Sequence, residues 1–232
     1  DHLLPSRAPS FLARASHVLW YPLQNQSMHT VGEVAKCSLT HGRSCADPCV
    51  KANLRSQWGE DITMLPDLLA AAAATTGTSG GHGTFVELGA YDGETYSNTW
   101  LLERCFGWRG LLIEANPSNF KKLCISGRKA ALKVHSAVCE RDGQVAMFAE
   151  GGPGAGSAKV STPFEQRLRH NLANTTVGVP CKPLRSLMAD AGLQTATFLS
   201  LDVEGAEETV LRTVDPAAFA MIMIETATNE AA

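Results

Sequence analysis

No stretch of this sequence is apolar for long enough to cross a bilayer, and the longest candidate, residues 68–74, is short and rich in alanine. The sequence has no Walker lysine, no HExxH motif and no Ser-His-Asp order, so the signatures of P-loop enzymes, zinc proteases and serine hydrolases are missing. The net charge of -3 argues against a protein that binds nucleic acid through a basic surface. The 232 residues suffice for one α/β domain with a full core and an extension.

Cysteine, by contrast, is plentiful. The chain has seven cysteines, which is many for a cytosolic enzyme of this size, and the odd count leaves at least one unpaired within the chain. Triplets with the pattern of N-glycosylation sites begin at Asn25 and Asn174. Together these features favour the lumen of the secretory pathway or the extracellular space, with the cytoplasm as the alternative.

Four potential metal ligands recur at every fourth residue near the N-terminus: Cys37, His41, Cys45 and Cys49. A Cys₃His zinc site is one interpretation, although the usual Cys-Cys knuckle with two intervening residues is missing. Disulfides and free thiols are the other two.

Residues 1–55 show no sustained helical or strand period and contain four scattered prolines. We interpret them as an N-terminal extension that wraps the domain or is partly loose, followed by one domain over residues 56–232. In that domain apolar runs alternate with helical patterns, which predicts an α/β fold with a mostly parallel sheet flanked by helices. The predicted parallel strands are residues 84–88, 111–114, 132–139, 197–203 and 221–225.

Turn and cap signals complete the predicted elements. Residues 94–106 fit a helix that ends at Gly107, and Asn116 with Pro117 starts another that runs to residue 126. Further helices are expected over residues 162–172, 183–191 and from Gly205 to residue 211. A turn at residues 140–143 predicts a hairpin into an antiparallel strand at 145–149. The glycine-rich segment 151–156 is either a lid over a site or a long connection.

The segment from Thr84 to Gly93 organises the domain. Residues 84–88 read as a short buried strand, Gly89 allows a sharp turn, and Gly93 lets the backbone approach a ligand or begin a helix. Strand, glycine turn and helix are the parts of a nucleotide-type site at the carboxyl edge of a parallel sheet. An ordinary loop is the alternative.

Carboxylates end three of the predicted strands, at Glu114, Asp202 and Glu225. Ligands of open α/β sheets bind at this edge, and a carboxylate one βαβ step after the glycine turn can accept both hydroxyls of a ribose. Glu114 is that carboxylate, unless it only caps a helix or lies on the surface. Asp202 and Glu204 stand on either side of Val203 at the end of the predicted strand 197–203, so that one can serve the site while the other caps the next helix. The alternative is that both carboxylates only stabilise the N-terminus of the next helix.

Several spaced segments follow one pattern. They are residues 56–57 (SQ), 59–61 (GED), 85–93 (FVELGAYDG), 97–99 (SNT), 102–103 (LE), 107–111 (GWRGL), 113–117 (IEANP) and 201–207 (LDVEGAE). These segments resemble the FkbM-type methyltransferases over about residues 56–225. The resemblance is greatest to the branch that includes the insect Star protein, a secretory-pathway membrane protein not regarded chiefly as an enzyme.

The resemblance implies a Rossmann-like class I methyltransferase fold with S-adenosylmethionine as the methyl donor. Glu87, Gly89 and Gly93 would shape the donor pocket, Glu114 would hold the ribose, and Asp202 would face the methionine end or the acceptor. Asp202 or Glu204 would be the general base for an alcohol acceptor. The implied donor-site residues are Glu87, Gly89, Ala90, Tyr91, Asp92, Gly93, Glu114, Ala115, Asn116, Ser136, Ala137 and Asp202.

Two departures from the family pattern matter. Ala206 stands where many members have histidine, so any role of that histidine toward the acceptor is missing. Class I methyltransferases end with a sixth and a seventh strand, whereas seven residues follow the fifth predicted strand here. Either C-terminal strands are missing, or the sheet edge is open and needs cover from the extension, a protein partner or a second copy.

The expected function is O-methylation of a hydroxyl on a sugar, a glycan or another small molecule. A non-catalytic binding or trafficking module of the secretory pathway on the same fold is the main alternative. A metal-assisted methyltransferase with Asp202 and Glu225 in an oxygen-ligand site is a third hypothesis.

Overall fold

The structure is a computed structural model that describes residues 18–22, 47–76, 82–149, 176–203 and 205–226. The glycine-rich segment 151–156, the predicted helix over 162–172 and the asparagines of both candidate glycosylation triplets lie outside these residues. The strands are β1 (Val18–Pro22), β2 (Thr84–Leu88), β3 (Arg109–Glu114), β4 (Ala131–His135), β5 (Ala137–Val138), β6 (Gln144–Ala149), β7 (Thr176–Lys182), β8 (Ala196–Leu201) and β9 (Phe219–Thr226). The helices are α1 (Pro48–Ala52), α2 (Glu60–Thr76), α3 (Trp100–Phe106), α4 (Pro117–Ile125), α5 (Leu184–Asp190), α6 (Glu207–Leu211) and a 3₁₀ turn at Pro216–Ala218.

Six strands form a wholly parallel sheet in the order β1-β9-β8-β2-β3-β4. The chain runs outward from β2 through β3 to β4 and then returns to the other side of β2 as β8 and β9. The strand order therefore reverses between β2 and β8, where open α/β sheets form their ligand crevice. The predicted fold class is confirmed.

Apolar side chains cover both faces of the central strands, which explains why the strands read as continuous apolar runs. Phe85 and Leu112 share one cluster with Leu65 and Leu68 of α2, which packs against β8 and β9. Val86, which follows Phe85, belongs to the other cluster, with residues of α5 and α6. The helices therefore bury both faces and leave the carboxyl edge to the loops.

The helix predicted over 94–106 was wrong at its start, because α3 begins only at Trp100. Asp92 Oδ1 accepts hydrogen bonds from the N–H groups of Glu94 and Thr95, which makes a turn in place of a helix. Tyr96 has a φ of 61°, which interrupts any helix there. Gly107 does end the helix, with a φ of 68°.

The third predicted strand, 132–139, was wrong in length. β4 ends at His135, and β5 belongs to a separate three-stranded sheet in the order β5-β7-β6. The antiparallel strand predicted at 145–149 is present as β6, but its pairing as a hairpin with the preceding strand was wrong, because β7 lies between β5 and β6 and is the partner of both. A disulfide joins Cys139, the residue directly after β5, to Cys181 in β7 of this small sheet.

One edge of the main sheet is covered by the N-terminal extension. β1 pairs in parallel with β9 from Val18↔Ile222 to Pro22↔Thr226. The other edge strand is β4. None of the helices in the described segments is both long and apolar enough to cross a membrane.

A second disulfide ties α1 to the end of α3, because Cys49 bonds Cys105 across a sequence separation of 56 residues. Disulfides were one of the interpretations left open for the first cysteine cluster. Cys49 is therefore not a zinc ligand, whereas Cys37, His41 and Cys45 lie outside the described residues. Cys124 is free and exposed.

Candidate active site

The carboxyl ends of β2, β3 and β8 meet at the turn after Leu88. Gly89 has a φ of 77°, and a Cβ atom there would collide with the carbonyl oxygen of Asp202. The N–H groups of Gly89 and Ala90 both donate to the carbonyl oxygen of Ile113, at 3.1 and 3.2 Å. Glycine is therefore required by the close packing of this turn against the end of β8.

Glu114 ends β3 beside this turn and is held by the backbone. Its Oε2 accepts a hydrogen bond from the Tyr91 N–H, and its Oε1 accepts one from the Asn116 N–H, each at 2.7 Å. Glu114 is only 6% exposed. Burial raises the pKa of this carboxyl to about 7, because the loss of solvation outweighs the backbone hydrogen bonds, and the charge of Asp202 adds to the rise.

Asp202 follows β8 and is half-buried. Burial raises its pKa to about 8, and a hydrogen bond and charge repulsion from Glu225 at the end of β9 act in the same direction. Glu207 accepts hydrogen bonds from the N–H groups of Val203 and Gly205, at 3.3 and 2.9 Å, and so fixes the next turn. Glu204, the other predicted base, lies outside the described residues.

Glu87 faces the side of the sheet that α2 and α3 cover, directly below this edge. Its oxygens accept hydrogen bonds from Ser97 Oγ, Thr99 Oγ1 and the Asn98 N–H, at 2.6 to 3.1 Å. Asn98 Nδ2 donates to Ser200 Oγ at 3.2 Å, while its Oδ1 is buried without a hydrogen-bond partner. Glu87 thus shapes the site through the loop at 97–99, by contacts within the protein.

The remaining predicted residues lie beyond the ends of β3 and β4. Asn116 caps α4 by accepting from the N–H groups of Ser118 and Asn119, at 2.9 and 3.2 Å. Ser136 is buried, and its hydroxyl donates to the Ala137 carbonyl at 2.8 Å. Ala137 is buried in β5, and Ala115 packs against the core of the small sheet. These residues form a wall where the two sheets meet.

Residues 87–231 match the family described as the Methyltransferase FkbM domain. The chain belongs to the FkbM methyltransferase family. No curated protein matches it. Among solved structures it is similar to Methyltransferase FkbM from Methylobacillus flagellatus KT, with 18% identity and a TM-score of 0.34. That similarity covers 57% of this chain and 28% of the other, so the aligned part spans little more than a quarter of its relative.

The FkbM domain brings together Gly89, Tyr91, Glu114 and Asp202 around one turn, as the strand pattern implied. Sequence reasoning missed Arg128, which lies in the connection before β4 and is 2% exposed. It donates to the Gly93 carbonyl at 2.9 Å and to Glu103 Oε2 at 2.6 Å. No local motif marks this residue. The one available signal was an arginine three residues before a short strand.

Within the described part of the FkbM domain, no three His, Cys, Asp or Glu side chains are grouped as metal ligands. Asp202 and Glu225 do approach each other, as the metal hypothesis requires, but as a hydrogen-bonded pair of carboxyls. His135 stacks on Phe120, with the ring centroids 4.8 Å apart, and its Nε2 lies 3.1 Å from the Ala115 carbonyl oxygen. These contacts suit a structural role for the ring.

Proposed function

We propose that this domain transfers the methyl group of S-adenosylmethionine to a hydroxyl of a sugar, a glycan or another small molecule. Membership of the FkbM methyltransferase family supports methyl transfer. The observation that carries the donor assignment is Glu114, a buried carboxylate fixed by two backbone N–H groups beside the Gly89 turn. It lies at the carboxyl edge of the sheet, next to the reversal of strand order.

The residues present fit this donor. The backbone N–H groups of Tyr91 and Asn116 bond one oxygen of Glu114 each, and the Ala115 backbone also interacts with the carboxylate, which still leaves a lone pair for a hydroxyl of a vicinal diol such as that of ribose. Asn98 Oδ1 is a buried acceptor without a partner and suits an ammonium group. When bound, S-adenosylmethionine supplies an electrophilic methyl group on a sulfonium.

Asp202 is the residue best placed to accept the proton of an acceptor hydroxyl. A general base works best when its pKa lies near the working pH, and burial together with Glu225 raises the pKa of Asp202 to about 8. The shift is therefore useful at neutral to mildly alkaline pH. Glu207 fixes the turn that follows Asp202 and so limits its movement.

The two disulfides indicate an oxidising compartment. We accordingly place the reaction in the lumen of the secretory pathway or outside the cell, where glycans offer abundant hydroxyl acceptors.

Calorimetry with S-adenosylmethionine and S-adenosylhomocysteine tests the proposal. The wild type should bind both ligands, and Glu114→Ala should abolish the binding. Asp190→Ala is a suitable control, because it also removes a carboxylate but breaks only an exposed ion pair with Lys182. If the wild type binds neither ligand, the protein is a binding or trafficking module on this fold.

A further inference from the structure

The loop between the Gly89 turn and α3 has little regular structure. Tyr91 and Tyr96 have φ values of 49° and 61°, which residues other than glycine rarely adopt. The Tyr96 side chain is exposed, with 59% of its surface accessible. A loop in this conformation keeps its shape only where surrounding contacts hold it. The same loop contributes the Tyr91 N–H to Glu114 and the Asn98 amide to Ser200 of β8.

Arg128 holds this loop from inside. Its side chain is wholly buried. Nη1 donates to the Gly93 carbonyl at 2.9 Å and to Ser97 Oγ at 3.1 Å, while Nη2 donates to Thr99 Oγ1 at 2.7 Å. One guanidinium therefore bridges both ends of the loop, which only a planar group with several donors can do.

Two carboxylates and two aromatic rings fix the guanidinium. Nε donates to Glu103 Oε2 at 2.6 Å, and Nη1 lies 3.5 Å from Glu87 Oε2. The rings of Phe85 and Trp100 lie 5.2 and 5.9 Å from the guanidinium carbon. A buried charge with this set of partners has one favourable position, so it can impose that position on the loop.

We propose that Arg128 is the positioning residue of the donor site. It sets the loop over residues 93–99 so that the Tyr91 N–H reaches Glu114 and the Asn98 amide reaches Ser200. The inference rests on the proposed function, because it takes S-adenosylmethionine as the ligand of this crevice. Lysine cannot replace Arg128, since Gly93, Thr99 and Glu103 lie against three different nitrogens of the guanidinium, a spread that one compact ammonium group does not match.

The test compares Arg128→Lys with Thr213→Val. Thr213 is also buried, but its Oγ1 accepts from the Leu184 N–H at 2.9 Å in the layer on the opposite face of the sheet. Affinity for S-adenosylhomocysteine is measured by calorimetry, Tm by calorimetric scanning, and amide exchange over residues 94–100 in the ligand-free protein. We expect Arg128→Lys to raise Kd by about tenfold, a loss of about 1.4 kcal/mol in binding free energy. Exchange in the loop should also accelerate.

Thr213→Val should lower Tm without changing either loop exchange or Kd. The proposal is overturned if Arg128→Lys keeps wild-type affinity and exchange, or if both variants change them equally. Should Arg128→Lys fail to fold, Thr99→Val is the second variant, because it removes one acceptor of Arg128 and should loosen the loop in the same way. If the wild type binds no S-adenosylhomocysteine, the proposed function fails, and loop exchange alone decides whether Arg128 positions the loop.

Discussion

The raised pKa of Glu114 leads to a prediction about pH. A ribose hydroxyl donates its hydrogen bond best to the ionised carboxylate, whereas burial keeps part of the Glu114 population protonated near pH 7. The affinity for S-adenosylhomocysteine should therefore increase as the pH rises through about 7. This ligand carries the ribose but no sulfonium charge, so its binding depends less on the charge of Asp202.

The size of the effect follows from the titration. With a pKa of about 7, the ionised fraction of Glu114 rises from roughly a tenth at pH 6 to roughly nine tenths at pH 8. Affinity should accordingly increase about tenfold over this interval, or about 1.4 kcal/mol. Calorimetric titration of S-adenosylhomocysteine at several pH values, in buffers of matched ionic strength, measures this change in affinity.

Glu114→Gln is the matched control. The glutamine amide does not titrate, so the variant's affinity for S-adenosylhomocysteine should be independent of pH. The amide also places its N–H₂ group against the backbone N–H of Tyr91 or Asn116, so that affinity should be weaker than the wild type's. A wild-type affinity that stays flat from pH 6 to pH 8 would refute the reasoning. It would mean that the two backbone hydrogen bonds outweigh burial and keep Glu114 ionised throughout.

Two further predictions concern Asp202 and the disulfide between Cys49 and Cys105. Asp202→Asn should lower turnover about 100-fold or more, measured as methyl transfer from radiolabelled S-adenosylmethionine, and should leave Kd for S-adenosylhomocysteine nearly unchanged. Because the folded state raises the pKa of Asp202, the wild type loses stability as pH rises from about 4 to about 8. The Asp202→Asn variant does not, so it should have a higher Tm than the wild type at pH 8. A lower Tm of the variant would contradict this. Replacing Cys49 and Cys105 by serine should lower the free energy of unfolding in urea by about 4 kcal/mol, since the bond closes a loop of 56 residues. Cys124→Ser is the control. An equal loss of unfolding free energy in this control and in the double serine variant would disprove the estimate.

Elements with a local signal could be predicted well. The strand at 84–88, the glycine turn and the cap at Asn116 with Pro117 depend on residues only a few positions apart, and the structure has them where the pattern placed them. The same holds for the helix end at Gly107. Steric and hydrogen-bonding rules act over a single turn of chain, so the sequence is sufficient there.

Contacts between distant residues could not be predicted. Arg128 bonds Gly93 across 35 residues, and no pattern in either segment refers to the other. The late start of α3 has the same cause, because the segment before it is directed to Glu87 and Arg128 instead of forming a helical turn. Likewise β6 lies beside β7 and not beside the strand that precedes it.

The resemblance of the spaced motifs identified the family. The sequence by itself also determined the class of fold and the edge of the sheet at which the candidate site lies. It did so because alternating apolar runs and glycine turns restrict a chain to few architectures. Only the tertiary structure decided which carboxylates lose their solvent, which cysteines pair and which arginine bonds the loop before α3. These outcomes depend on burial and on distances between segments, which exist only once the chain has folded.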